Sequence, residues 1–173
     1  LDVSTCGSHK SCIYYPEGCS ITDTNPNTIV FTYVPIGTDY VQMEFYGTID
    51  PTDMTATSFY IAVGFSDDEL MGDEPVTECS QLLTESKPSV KSSYNYFSNE
   101  TTKSEPKNER IDDELTVRST IFAVNSTQSS DGVIFCQFTQ KIANFSLNSE
   151  MLSSTVDEKF YFLLAKGATT DSG

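Results

Sequence analysis

Apolar residues recur in this chain at every second position, and hardly anywhere at the three-and-four spacing of a helix. From 40 to 46 the alternation is clean, with Val41, Met43 and Phe45 set against Gln42 and Glu44. Side chains of an extended strand point to opposite faces in turn, so this pattern describes a strand with one face in a core. The stretch 115–124 repeats it, with Leu115, Val117, Ile121 and Ala123 opposite Thr116, Arg118 and Thr120. The runs 29–34, 58–65, 133–139 and 160–165 are rich in β-branched and aromatic residues. The run 58–65 is nearly all apolar, which suits a strand covered on both faces. Weaker strands are expected at 76–79 and 90–97. Gly, Pro, Asn and Asp separate these runs, as turns require. The best helix candidate is the short stretch 146–153. Six to nine strands without a convincing helix predict an all-β chain built as a sandwich or a barrel.

The 173 residues fit one domain, 1–173, with a sizeable core. Within it, 1–27 reads as a Cys-rich amino-terminal strap. The stretch 98–114 is almost wholly polar and reads as a long surface loop. Ten Lys plus Arg stand against twenty-five Asp plus Glu, a net charge of -15. A surface this acidic repels phosphate backbones, which argues against nucleic acid as a partner. An anionic membrane surface is disfavoured in the same way. No run is apolar for long enough to span a bilayer as a helix.

Cysteines stand at Cys6, Cys12, Cys19, Cys79 and Cys136, with no CxxC pair among them, so a zinc site is poorly supported. Asn99, Asn125 and Asn144 each open an Asn-X-Ser/Thr glycosylation triplet. Three such triplets beside clustered cysteines point to the secretory route and an extracellular location, where disulfides persist. No signal-peptide pattern is present, as expected if Leu1 follows a processing site. An odd number of cysteines leaves one thiol over.

The chemistry is bounded first by what is missing. His9 is the one histidine, in a loop between Cys6 and Cys12, which is poor material for a Ser-His-Asp triad. No glycine-rich phosphate loop occurs. A carboxylate pair for glycoside hydrolysis gains little support from a chain without tryptophan. Tyr94, Tyr96 and Phe97 could stack on a sugar ring, but strand packing is the simpler use for them. The informative stretch runs from Tyr60 to Asp73: a buried strand, Gly64, Phe65, then an acidic loop holding Met71 and Gly72. Met71 either folds back as an adaptable gap-filler or turns its sulfur toward a soft metal or haem iron. Asp67, Asp68, Asp73 and Glu74 could offer oxygens to calcium, but without the alternation of an EF-hand loop.

Val63, Gly64, Phe65 and Ser66, followed by Leu70, Met71, Gly72 and Asp73, resemble the signature of the DOMON domain. The block from Cys6 to Cys12, with Pro16, Gly18 and Cys19 after it, resembles the opening of the DOMON domain in animal ferric-chelate reductases. Phe135 to Phe138 and Tyr161 to Ala168 resemble that family's later strands. The resemblance implies a two-sheet antiparallel β-sandwich of roughly ten strands, stapled by disulfides. It also implies haem b held by a methionine and a histidine. Met71 falls at the methionine position, with Phe65 and Gly72 beside it as cofactor-binding candidates. The family's histidine follows the last strand, where this sequence reaches Gly173. Either more chain follows, or this is a haem-free branch. Relatives also carry a cysteine shortly after the one matching Cys19, and 20–28 has none, so Cys19 is the candidate for the odd thiol. The expected disulfides then tie Cys6 and Cys12 of the strap to Cys79 and Cys136.

Two functions follow from the resemblance. One is an extracellular haem b electron-transfer module, part of a ferric-chelate reductase-like oxidoreductase and partnered by a membrane cytochrome domain. The other is a haem-free structural or interaction module of a secreted or cell-surface glycoprotein, binding a protein partner or its own copies.

Overall fold

A computed structural model describes the chain except at 23, 24, 26, 49–57, 67, 83, 100, 101, 103, 111–120, 131, 142–160 and 170–173. At 105, 106, 110, 121–123, 125, 126, 128–130 and 169 the backbone alone is described. Among the described residues there are ten strands. They are β1 (Ser11–Tyr15), β2 (Ile29–Ile36), β3 (Tyr40–Thr48), β4 (Ser58–Ser66) and β5 (Pro75–Leu82), then β6 (Ser89–Asn99), β7 (Ser104–Arg110), β8 (Ile121–Ser130), β9 (Val133–Lys141) and β10 (Tyr161–Thr169). They form two antiparallel five-stranded sheets, ordered β1-β2-β3-β9-β8 and β10-β4-β5-β6-β7. Among the described residues there is no helix. The fold is an all-β sandwich stapled by disulfides.

The alternation read from 40–46 holds in space. Val41, Met43 and Phe45 of β3 are buried in the core, where Phe31, Ile61, Val63, Ile134 and Phe138 join them from both sheets. Strand β4 lies between β10 and β5 and is buried on both faces, with Ile61 and Val63 inward and Ala62 and Gly64 outward. The two sheets are joined covalently by Cys79 on β5 and Cys136 on β9, each wholly buried. Close by, the Thr77 hydroxyl donates to Gln140 Oε1 across the interior at 2.7 Å.

The second disulfide joins Cys6 to Cys12. The expected pairing of the strap with Cys79 and Cys136 is therefore wrong. Two cysteines facing each other deep in the core are out of reach of the strap, and two cysteines six residues apart close a loop of their own. Cys19 lies in neither disulfide.

Strand boundaries differ from expectation in two more places. The stretch 98–114 is not all loop: β6 runs on to Asn99 and β7 pairs with it in register from Ser104 to Arg110. Its composition misleads because an edge strand with little burial needs no apolar face. The strap 1–27 contains β1, which pairs with β2 from Ser11 opposite Tyr33 to Tyr15 opposite Ile29. The strand expected at 115–124 is described from Ile121, as β8; 115–120 and the helix candidate 146–153 lie outside the described residues.

Candidate functional site

The loop between β4 and β5 carries the residues singled out above, and its shape follows from where its backbone N–H groups go. Strand β4 ends at Ser66, whose hydroxyl accepts from the Asp68 N–H at 3.2 Å and donates to the Leu70 carbonyl at 3.4 Å. The Asp68 carboxylate accepts from the Leu70 N–H at 2.8 Å. These local bonds turn the chain outward, a usual role for Ser and Asp in loops. Leu70 and Met71 emerge at the tip, 59% and 47% exposed.

The far side of the loop is anchored by a buried carboxylate. Glu74 is 1% exposed, although four of its loop neighbours are acids. Its Oε2 accepts from the Gly72 N–H and its Oε1 from Asn95 Nδ2, both at 2.5 Å. The Asn95 N–H donates to the Glu74 carbonyl at 2.9 Å. Asn108 Nδ2 on β7 continues the chain of bonds, donating to Asn95 Oδ1 at 2.8 Å and to Ser93 Oγ at 2.9 Å. Gly72 has φ +142°, and a Cβ there would run into the Phe97 ring. Only glycine permits both that backbone and that ring contact. Glu74 in turn lies over Gly64 of β4, where a Cβ would come within 3.1 Å of Glu74 Cγ.

The predicted site residues thus go to different places. Met71 is not a core gap-filler but stands half-exposed at the loop tip. Phe65 turns inward, packing edge-on against Phe162 with ring centroids 5.8 Å apart. Gly72 is covered by Phe97, which is itself buried and not available for stacking on a sugar. Glu74 faces inward to its own donors rather than outward to a cation, and no group of three or more His, Cys, Asp or Glu gathers among the described residues. Asp67 lies outside those residues. Asn99 is exposed, its Oδ1 accepting from the Thr102 N–H at 3.1 Å. Asn125 lies on β8, and Asn144 is outside the described residues.

Sequence reasoning missed a second buried carboxylate, Glu44. Lys10 Nζ and the Thr32 hydroxyl each donate to its Oε2 at 2.7 Å, and Gln137 Nε2 donates to its Oε1 at 2.7 Å. Burial pushes the Glu44 carboxyl up, but the bonds from Lys10, Thr32 and Gln137 outweigh it and hold the group below its usual range. Lys10 also donates to the Asp2 carbonyl at 2.8 Å, so this knot fastens the strap onto the first sheet. A lysine four residues into the Cys6 loop and a glutamate on the polar side of β3 were the available signals.

Whether haem suits these residues can be judged from the same geometry. At the end of the sandwich near Phe65, the rings of Phe31, Tyr33, Phe65 and Phe162 pack on one another with centroids 5.1 to 5.8 Å apart. Side chains already fill that part of the interior. Met71 is presented outside it, beside Leu70. Tyr161, 47% exposed, stands in register with Ser66 at the base of the loop. His9 belongs to the strap, fastened by neighbouring Lys10 to the outer face of the first sheet, while the Met71 loop belongs to the second. Met71 therefore offers its thioether on the outside of the loop and not in the filled interior.

Comparison with known proteins gives the family. The family model of the DOMON domain matches residues 40–167. The chain belongs to the DOMON family. It is also 34% identical over 74 residues to a Drosophila melanogaster protein named "Putative ferric-chelate reductase 1 homolog". That alignment covers 43% of this chain and 10% of that protein, so the DOMON chain spans a small part of its relative's length. No solved structure matches it. Among the described residues no helix is long and apolar enough to cross a membrane.

Proposed function

We propose that this chain is the extracellular DOMON module of a ferric-chelate reductase-like protein, and that haem b binds against its Met71 loop. The observation that carries this reading is a half-exposed thioether at the tip of a loop that a buried carboxylate holds in place. In this reading Met71 Sδ would hold the haem iron. Haem b would supply one-electron exchange between a membrane cytochrome partner and a ferric chelate outside the cell. Leu70 and Tyr161, both exposed beside the loop, would give such a group apolar contact. Glu74 and Gly72 fix the loop so that the sulfur keeps its place, as outer groups fix a metal ligand. The two disulfides and the three glycosylation triplets support an extracellular location.

Reconstitution of the chain with haem b tests it. A Soret band should form, and Met71→Ala should weaken haem binding by about tenfold or more. Absence of a Soret band in the unaltered chain would sink the haem reading.

One observation favours a second reading. The aromatic rings fill the interior, while Leu70, Met71 and Tyr161 expose apolar surface beside Asp68, Glu69 and Asp73. A haem-free module would use that tip to dock a protein partner. The same titration separates the two, since a docking tip without haem leaves the spectrum flat.

A further inference from the structure

The two disulfides lie in opposite surroundings. Cys79 and Cys136 are wholly buried between the sheets. Cys6 and Cys12 are half-buried, and Gly7, Ser8, His9 and Ser11 between them are exposed. Thiol–disulfide exchange needs an attacking thiolate to reach one sulfur of the pair, so a reductant meets Cys6–Cys12 first.

That disulfide holds more than its own loop. Within the loop the Gly7 N–H donates to the Lys10 carbonyl at 2.9 Å. The N–H groups of Ser8, His9 and Lys10 turn back to the Thr5 carbonyl at 3.1 to 3.2 Å. From β1 the Tyr14 hydroxyl donates to Cys6 Sγ at 3.5 Å. The closed loop thereby fixes the backbone of Lys10, whose side chain is 12% exposed. Its ammonium reaches Glu44 Oε2 at 2.7 Å and the Asp2 carbonyl at 2.8 Å. Cys12 stands in register with Thr32, and the Thr32 hydroxyl donates to the same Glu44 oxygen at 2.7 Å. Disulfide, Lys10, Thr32 and Glu44 thus form one contiguous knot.

We propose that Cys6–Cys12 is a redox switch, opened by a dithiol reductant, that locks residues 1–10 onto the first sheet. One thiolate of the dithiol attacks a sulfur of the pair, and the Cys6–Cys12 bond breaks. The second thiol then closes the reductant's own disulfide, so two electrons and two protons pass to Cys6 and Cys12. Closed, the loop holds Lys10 against Glu44. Open, Lys10 leaves with the strap, and Glu44 keeps the neutral donors Thr32 and Gln137. Strand β1 stays paired with β2 in both states, because its five pairs do not depend on the loop. The switch therefore exchanges a cation for solvent over the Glu44 carboxylate and leaves the sandwich intact.

Loop closure and the Lys10–Glu44 pair favour each other, and such a coupling is reciprocal: weakening either weakens the other by the same factor. This reciprocity separates a switch from a disulfide that merely closes a loop. The inference is independent of the haem reading.

The whole chain, equilibrated in buffers of reduced and oxidised dithiothreitol, tests it, with thiols trapped by alkylation and placed by peptide mass mapping. Cys6 and Cys12 should appear as thiols together, while Cys79–Cys136 stays closed and circular dichroism is unchanged. In that state acetic anhydride should acylate Lys10 about fivefold or more faster than in the oxidised chain, as local opening exposes its amine. Glu44→Gln should move the midpoint of reduction about fivefold in dithiol ratio toward the open form. Lys10→Gln should give the same shift; it lies in the strap, so the result does not hang on how β3 tolerates a change at Glu44. Lys107→Gln on β7 should leave the midpoint where it was. Both disulfides opening together, Lys10 acylated at one rate in the two states, or a midpoint that neither strap-knot variant moves, overturns the proposal.

Discussion

Glu44 and Glu74 are both buried glutamates in an acidic chain, yet they are stabilised in different ways. Glu44 lies on the first sheet with a lysine, a hydroxyl and an amide donating to it. Glu74 lies by the second sheet, and its described donors are all neutral: one backbone N–H and one side-chain amide. The first fastens a strap through a cation whose side chain is 12% exposed. The second fastens the Met71 loop through groups that have nowhere else to turn. A buried carboxylate needs its oxygens satisfied, and a formal counter-charge is only one way to do it.

The comparison breaks most sharply under truncation. Glu74→Ala leaves the half-buried Gly72 N–H and the buried Asn95 amide without their acceptor. Losing both bonds should cost about 3 kcal/mol, read from urea unfolding. The loop should also open, so amides 70–73 should exchange faster. Glu44→Ala should cost less, about 2 kcal/mol, because the Lys10 ammonium can swing into water once its partner is gone. Equal costs, or the reverse order, would mean that the cation and not the neutral donor set decides the energetics.

Acid sharpens the contrast by a smaller effect. The Glu44 carboxyl is held below its usual range in the folded chain, so the unfolded state binds the proton more readily. Its stabilisation is complete above the ordinary glutamate range near pH 4.3 and fades as pH falls through the lowered folded value. Thermal unfolding followed downward from about pH 5 should show stability falling, and Glu44→Gln should flatten the part due to this residue. The mutant running parallel to the unaltered chain throughout would remove Glu44 from the acid response.

Much of the sandwich is legible in the sequence, because burial on one face of a strand writes itself as alternation. Val41, Met43 and Phe45 announce their side of β3, and the apolar run of β4 announces a central strand. What is hidden depends on partners far along the chain. Nothing local to Glu74 separates it from Asp68 or Asp73, and its burial comes from Asn95, twenty-one residues later. The polar edge β7 hides for the opposite reason: its described side chains, Ser104, Lys107, Asn108 and Glu109, are exposed like those of a loop. The disulfides were misassigned because the sequence orders cysteines along the chain, while pairing depends on which faces they occupy. The loop tip itself was legible in composition, but the outward turn of Met71 follows from hydrogen bonds of Ser66 and Asp68 that no pattern of hydropathy records.

The smallest effect gives the finest test of how Glu74 sits. Gly64 is a strand residue, where alanine would ordinarily stabilise by about 0.5–1 kcal/mol through lost backbone freedom in the unfolded chain. Here the added Cβ meets Glu74 Cγ at 3.1 Å and Leu163 Cβ at 3.5 Å. The Glu74 side chain is pinned at both oxygens, so it cannot yield easily. Crowding should outweigh the backbone gain, and Gly64→Ala should destabilise by about 0.5 kcal/mol. In the Glu74→Ala background the crowding partner is gone, and the same substitution should turn stabilising. The double-mutant cycle should therefore return a coupling of about 1 kcal/mol. A coupling near zero would mean that Glu74 shifts aside at little cost, and that its two short bonds do not hold the Met71 loop rigidly.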